Sequence, residues 1–292
     1  QLVAEGDRLA FSTDSYVIDP LFFPGGNIGK LAICGTANDV AVSGAIPRYL
    51  SCGFILEEGL PMETLKAVVT SMAETARAAG IAIVTGDTKV VQRGAVDKLF
   101  INTAGMGAIP ANIHWGAQTL TAGDVLLVSG TLGDHGATIL NLREQLGLDG
   151  ELVSDCAVLT PLIQTLRDIP GVKALRDATR GGVNAVVHEF AAACGCGIEL
   201  SEAALPVKPA VRGVCELLGL DALNFANEGK LVIAVERQAA ETVLAALRAH
   251  PLGCDAAMIG EVVERKGVRL AGLYGVKRTL DLPHAEPLPR IC

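Results

Sequence analysis

Four aspartates and one glutamate stand in short segments where an acid can do chemistry. Asp14 lies in FSTDSYV, Asp39 in GTANDVAVSGAIP, Asp87 in VTGDTKVV, Asp177 in LRDATRGGV and Glu228 in FANEGKLV. Each sits at a strand end or turn beside small or hydroxyl residues. A carboxylate so placed can meet Mg²⁺, which takes few protein carboxylates and fills its shell with phosphate oxygens. Taken singly, each aspartate also reads as a cap or turn residue. ATRGGVN is more specific. Arg180, Gly181 and Gly182 open a helix, so main-chain N–H groups and a guanidinium converge on one anion. Lys89, three residues after Gly86, is a second candidate for a phosphate contact. Glu228 stays open between general base, metal ligand and turn acid.

The other reactive group is the last residue of the sequence. PHAEPLPRIC ends on Cys292 behind prolines 283, 287 and 289. An exposed thiol is an oxidation and cross-linking liability, so Cys292 is either incidental or the working group. Pro-rich chain is extended, and about ten residues at ~3.1 Å each span roughly 30 Å. A thiol on such a tether can visit several partners while staying at high effective concentration near its own site. The expectation is a flexible tail whose final side chain buries little.

The elements that must position these groups fall into two halves. In the first, RLAFSTD, RYLSCGFILEE, IAIVTGDTKVV and DKLFINTAGMGAI read as strands, with helices over residues 28–43 and 61–79. PANIHWGAQTLTAGD carries no periodicity and reads as a linker. The second half has strands DVLLVSG, KLVIAVE, AAMIGEVVE and GVRLAG. Helices are expected in DHGATILNLREQLG, VLTPLIQTLRDIPG, ATRGGVNAVVHEFAAACG and QAAETVLAALRAHP. The boundaries are 1–110, 119–271 and a tail over 272–292.

Composition narrows the function. Half of the 292 residues are hydrophobic but only 4% are aromatic, so an ample core is built from aliphatic side chains. A net charge of −8 without a basic block argues against nucleic acid. No apolar run reaches ~18 residues, which argues against a membrane helix. The start lacks the charged and apolar regions of a signal peptide, and it lacks an initiator Met, so preceding residues are expected to be missing. Cytoplasmic location fits, and the eight cysteines read as reduced thiols. CGC alone makes a poor zinc site, lacking a second ligand pair. P-loop, dinucleotide-binding and Gly-x-Ser-x-Gly signatures are absent.

Read together and in order, GTANDVAVSGAIPRYL, TGDTKVV, DATRGGVNAVVHEF and NEGKLV resemble the aminoimidazole ribonucleotide synthetase superfamily. Its members include the purine cyclo-ligase, selenophosphate synthetase and thiamine-monophosphate kinase. The closing PRIC is similar to its nickel–iron hydrogenase maturation branch, and the likeness runs from Arg8 to Cys292. The Gly-rich nucleotide segment that the family carries near its N-terminus has no match here.

The resemblance implies an α/β (α+β) fold of two PurM-like domains. The N-terminal mixed sheet forms a barrel across a homodimer, and ATP lies near that interface. It implies ATP contacts at Asn38, Thr88, Lys89, Asp177, Thr179, Arg180, Gly181 and Gly182. Mg²⁺ would be held by Asp14, Asp39 and Asp87, with Cys292, Glu228 and Lys89 catalytic. The implied reaction begins when a HypF-like carbamoyltransferase loads the Cys292 thiol. ATP then dehydrates the thiocarboxamide to a thiocyanate by attack of the amide oxygen on the γ-phosphorus, and the cyano group passes to iron on a HypC–HypD complex. Two other readings compete: a PurM-like enzyme acting on a free small molecule, and a non-catalytic maturation scaffold.

Overall fold

The structure is a computed structural model and describes residues 7–148, 150–283 and 288–292; Pro287 of the tail lies outside them. The first half contains β1 (Arg8–Tyr16), β2 (Phe22–Phe23), β3 (Gly26–Asn27), α1 (Ile28–Ala41), β4 (Ile46–Glu57), α2 (Met62–Ala78), β5 (Ala82–Val91) and β6 (Leu99–Ile109). Its main sheet runs β1-β6-β4-β5. Only the β4–β5 pair is parallel, as the α2 crossover between them requires.

Period-2 alternation decides which side chains β1 buries. Ala10 and Tyr16 face α1, whereas Leu9 and Phe11 face away and are 54% and 64% exposed. In register with Phe11, across Met106, stands Tyr49, and Ile55 shares that outer face. α1 is buried almost all round, as a helix between a sheet and other elements must be. The Asn27 side chain starts it by accepting from the N–H groups of Gly29 and Lys30.

The second half contains β7 (Val125–Val128), α3 (Asp134–Glu144), α4 (Thr160–Gln164), β8 (Val172–Asp177), α5 (Gly182–Cys194), β9 (Gly197–Ser201) and α6 (Pro209–Leu218). It closes with β10 (Leu231–Val235), α7 (Ala240–Arg248), β11 (Ala257–Val263), β12 (Gly267–Ala271) and β13 (Lys277–Thr279). The sheet runs β13-β12-β9-β11-β7-β10-β8, with β9–β12 its parallel pair among the described residues. Leu126, Val128, Val232 and Ala234 pack with α5 on one face. Val125, Leu127, Ile233 and Val235 pack with α4 and α7 on the other. Both faces are covered, which is why VLLV and LVIAV are unbroken apolar runs. None of the described helices is long and apolar enough to cross a membrane, and all eight cysteines are free.

Three expectations are corrected here. The helix expected through residues 158–171 shrinks to α4, because past Gln164 the chain tightens into i→i−3 turns, with Leu166 N–H donating to Ile163 O at 3.0 Å and Ile169 N–H to Leu166 O at 3.2 Å. The tail does not begin at 272, because Lys277–Thr279 pair with Arg269–Ala271. Nor does Cys292 lie exposed. Leu288, Ile291 and Cys292 are 3%, 2% and 6% exposed and join the core that also holds Tyr16, Ile18 and Phe23.

Gly29 lets α1 lie directly on α2: a Cβ there would stand 2.4 Å from Val68 O. Gly29→Ala is expected to lower unfolding stability by about 1–3 kcal/mol in urea denaturation, since backbone cannot yield as a flexible side chain can.

Candidate active site

The site forms where the two halves meet. β1 supplies Thr13 and Asp14, and α1 supplies Gly35 and Asp39. From the second half come Arg176, Asp177, Thr179, Arg180, Glu189 and Glu228, and Cys292 closes the cavity of about 310 Å³. That volume is in the range of small-ligand sites.

Two loops of the second half are stitched together before they reach the cavity. Leu231 pairs with Asp177, Ala178 N–H donates to Lys230 O at 3.0 Å, and Asn227 N–H donates to Ala178 O at 2.9 Å. Asn227 also accepts from Gly133 N–H and donates to Ala178 and Phe225 carbonyls. Gly182, at φ +59°, passes so close to the second loop that a Cβ would stand 2.4 Å from Phe225 O. Beneath Glu228 lies Asp155, which accepts from the N–H groups of Glu228 and Gly229 at 3.0 and 3.3 Å and sits 3.4 Å from Lys230 Nζ. Gly229 is needed because a Cβ would stand 1.9 Å from Asp155 O.

Acids outnumber their partners in this cavity. Asp39 Oδ2 accepts from Ser12 Oγ at 2.8 Å, and Arg176 Nη1 is 3.6 Å from both Asp39 and Asp177 while its Nε is 3.4 Å from Glu189. Asp177 and Glu228 are nearly fully buried, and Asp177 Oδ1 and Glu228 Oε1 accept no hydrogen bond. An unpaired buried carboxylate costs several kcal/mol, so such groups hold a proton or a cation. Burial first, and the Asp39 charge second, push the Asp177 carboxyl up to about 7. Burial, with the Cys156, Asp155 and Asp177 charges behind it, holds Glu228 well above the usual carboxylate range. Asp14 is raised chiefly by burial too. Cys292 Sγ receives a hydrogen bond from Arg180 Nη2 at 3.4 Å, yet burial and then the Glu228 charge push the thiol up to about 12.

Of the residues singled out in the sequence, the fold brings together Asp14, Asp39, Asp177, Thr179, Arg180, Glu228 and Cys292. Gly181 and Gly182 stand behind them, at φ +76° and +59°, opening α5 with no side-chain cap on its first turn. Asn38 faces elsewhere: its amide donates to Ala157 O and accepts from Leu159 N–H, tying α1 to the second half. Asp87 and Lys89 lie outside the cavity, on the outer face of β5, paired to each other at 2.9 Å with side chains about 70% exposed. Thr88 pairs in register with Phe54 on that strand, also outside it. Asp87 therefore does not join Asp14 and Asp39 within one chain. Among the described residues no three His, Cys, Asp or Glu stand close enough to hold a metal by themselves. Glu228 Oε1 and Asp177 Oδ1, neither of which accepts a hydrogen bond, still suit a cation that completes its shell with phosphate. Sequence reasoning missed Arg176, Glu189 and Asp155; only the flanking of Asp177 by two arginines in LRDATR hinted at the first.

Comparison with known proteins gives the same site a family. Residues 2–109 match the AIR synthase related protein N-terminal domain, and residues 121–272 match the C-terminal domain of the same description. The chain belongs to the AIR synthase related family. Its place within that family is among the HypE carbamoyl dehydratases. It is 98% identical over 292 residues to carbamoyl dehydratase HypE of Escherichia coli K12, covering 100% of this chain and 87% of that protein. It is 50% identical over 294 residues to the protein of that name from Rhodobacter capsulatus, covering 100% and 86%. The crystal structure of E. coli HypE superposes with a TM-score of 0.97 at 96% identity, over 99% of this chain and 89% of that one. HypE solved with HypF matches at TM-score 0.92 and 47% identity, over 94% and 90%. HypE solved with ATP matches at 0.94 and 47%, over 98% and 87%.

Asp155→Ala should cost about 3 kcal/mol in urea denaturation, because it strands Lys230 and two N–H groups together. Asp155→Asn, which keeps an acceptor, should lose less.

Proposed function

We propose that this chain is an ATP-dependent carbamoyl dehydratase whose substrate is its own Cys292. The observation that carries the reading is the Cys292 sulfur, docked in an acidic cavity 3.4 Å from Arg180 and bordered by the unpartnered Glu228. The carboxamide on that sulfur, R–S–C(=O)–NH₂, reacts with ATP to give R–S–C≡N, ADP and phosphate, so the amide oxygen leaves on phosphorus.

ATP supplies the phosphoryl group that turns the amide oxygen into a leaving group, and Mg²⁺ offsets charge on the phosphates. The residues present suit both. Arg180 and the uncapped start of α5 face the incoming phosphates, Thr179 adds a hydroxyl, and Asp14, Asp39 and Asp177 offer carboxylate oxygens to the cation. Arg176, held by three acids at 3.4–3.6 Å with 40% of its side chain exposed, can turn toward phosphate once a cation takes its place. Burial and the neighbouring negative charges favour the protonated form of Glu228. Cancelling the negative charges around it lowers its proton affinity, and as a carboxylate it takes one proton of the amide nitrogen, while the other leaves on the departing phosphate.

The carbamoyl group must be accepted elsewhere. A buried thiol with a pKa of about 12 is a poor nucleophile, so Cys292 meets a HypF-like carbamoyltransferase with the tail outside the cavity. The cyano group is then delivered to the iron-carrying HypC–HypD complex, again from an extended tail. In the nickel–iron hydrogenase this supplies the cyanide ligands of the iron.

We further propose a homodimer formed by the outer face of the first sheet. Leu9, Phe11, Tyr49 and Ile55 are 41–64% exposed there, an apolar strip that water covers poorly. Asp87 and Lys89 share that face, so a second copy would bring them under cover near a nucleotide site.

Intact-mass measurement tests the central reading. With carbamoyl phosphate, HypF and ATP, the segment that ends in Cys292 should gain one HNCO unit and then lose one water. A change mapped to another cysteine, or full conversion in Cys292→Ala, defeats it. Glu228→Gln should slow single-turnover thiocyanate formation at least a hundredfold while ATP binding changes little; an unchanged rate removes Glu228 as the base. Phe11→Asp should shift the protein from dimer to monomer in sedimentation velocity.

A further inference from the structure

The last four residues of the sequence are held by their main chain as well as by their side chains. Arg143, at the end of α3, spreads its guanidinium over three carbonyls. Nε donates to Asp19 O at 2.6 Å, Nη1 to Pro289 O at 2.7 Å, and Nη2 to Arg290 O. One position along the tail, His135 Nε2 donates to Ile291 O at 2.8 Å. Val17 N–H, just past β1, donates to the main-chain oxygen of Cys292 at 2.9 Å. Every tail carbonyl from 289 to 292 thus has its own donor.

The donors are themselves fixed. A carbonyl only accepts, so Nε2 of His135 carries the hydrogen and Nδ1 accepts from Ser154 Oγ at 2.7 Å, while Ser154 Oγ accepts from Cys156 N–H. The ring is wholly buried and packs edge-on to Phe23 at 5.3 Å. Arg143 uses three nitrogens in the planar fork that lysine lacks. The tail is shaped to match. Arg290 takes a left-handed φ of 55°, so its side chain turns away from Arg143 and bonds Val17 O and Asp97 at 2.8 Å each.

We infer that Arg143 and His135 are positioning residues: they dock the tail through the carbonyls of Pro289, Arg290 and Ile291 and so set the Cys292 sulfur against Arg180 and Glu228. Neither residue lines the cavity, and neither touches the sulfur. Their effect passes through the backbone of the tail. The inference extends the reading above, in which dehydration takes place with the tail docked.

Two measurements on the full-length chain test it. The first is the rate at which iodoacetamide alkylates Cys292 in the unmodified protein, quantified by mass spectrometry on the peptide that begins at Asp281. Hydrogen bonds from a charged donor contribute enough that losing two should shift docking at least tenfold. Arg143→Leu is therefore expected to alkylate Cys292 at least ten times faster than the parent, and His135→Leu, which loses one neutral hydrogen bond, about threefold faster. His135→Gln, which keeps a donor for Ile291, should restore most of the protection, and Arg143→Lys should restore little. The second is single-turnover dehydration of the carbamoylated protein, expected to fall at least tenfold in Arg143→Leu and about threefold in His135→Leu. Because His135 is wholly buried, Arg143→Leu carries the test if the His135→Leu chain does not fold. Parent-like alkylation in a folded Arg143→Leu chain overturns the inference. Faster alkylation with unchanged dehydration leaves the clamp standing and overturns instead the reading that the docked tail is the reacting one.

Discussion

A cluster of carboxyl groups, two of them buried, governs this molecule. Asp14, Asp39, Asp177, Glu189 and Glu228 meet in one cavity, with Arg176 and Arg180 the cations that line it. Two of those acids have a buried oxygen that accepts no hydrogen bond. In a core this apolar, such an arrangement is a standing cost that hydrophobic burial elsewhere must offset. The stitched loops, the Asp155 platform under Glu228 and the close approach of Gly182 all resist the relaxation that would let water in and relieve it. The site is thereby preorganised for cations and for the phosphates they carry.

The seam location follows from the same constraint. Each half supplies only part of the cavity lining. Asp14 and Asp39 belong to β1 and α1, and Arg180 with the opening of α5 belongs to the second half. Asn38 holds the two halves in register by bonding Ala157 and Leu159, so a residue expected to touch nucleotide instead fixes the distance between those that line the cavity.

Local signals in the sequence were reliable where physics is local. Asn27, Gly181 and Gly195 bound helices as their types suggest, and VLLV and LVIAV declare strands covered on both faces. Residue types also marked most of the cavity: Asp14, Asp39, Asp177, Arg180, Glu228 and Cys292. What could not be read depends on distant partners. The entry to α4 is fixed by a bond from Leu159 N–H to Asn38, more than a hundred residues away in sequence. β13 exists because β12 offers an edge. Asp87 and Lys89 look like members of the cluster, yet the parity of β5 puts them on the opposite face from Asp14. A tail rich in proline advertises extension, but nothing in PLPRIC announces that His135 and Arg143 await its carbonyls.

The buried state of Cys292 has a consequence for the life of the protein between turnovers. Burial pushes the Cys292 thiol up to about 12, so at neutral pH it keeps its proton far more firmly than an exposed cysteine does. Peroxide attacks the thiolate, so the docked sulfur is almost outside the oxidation ladder that begins at sulfenic acid. The exposed Cys254 would meet such an oxidant first. The cavity that spends the sulfur's reactivity during dehydration is also the sheath that keeps it reduced while it waits.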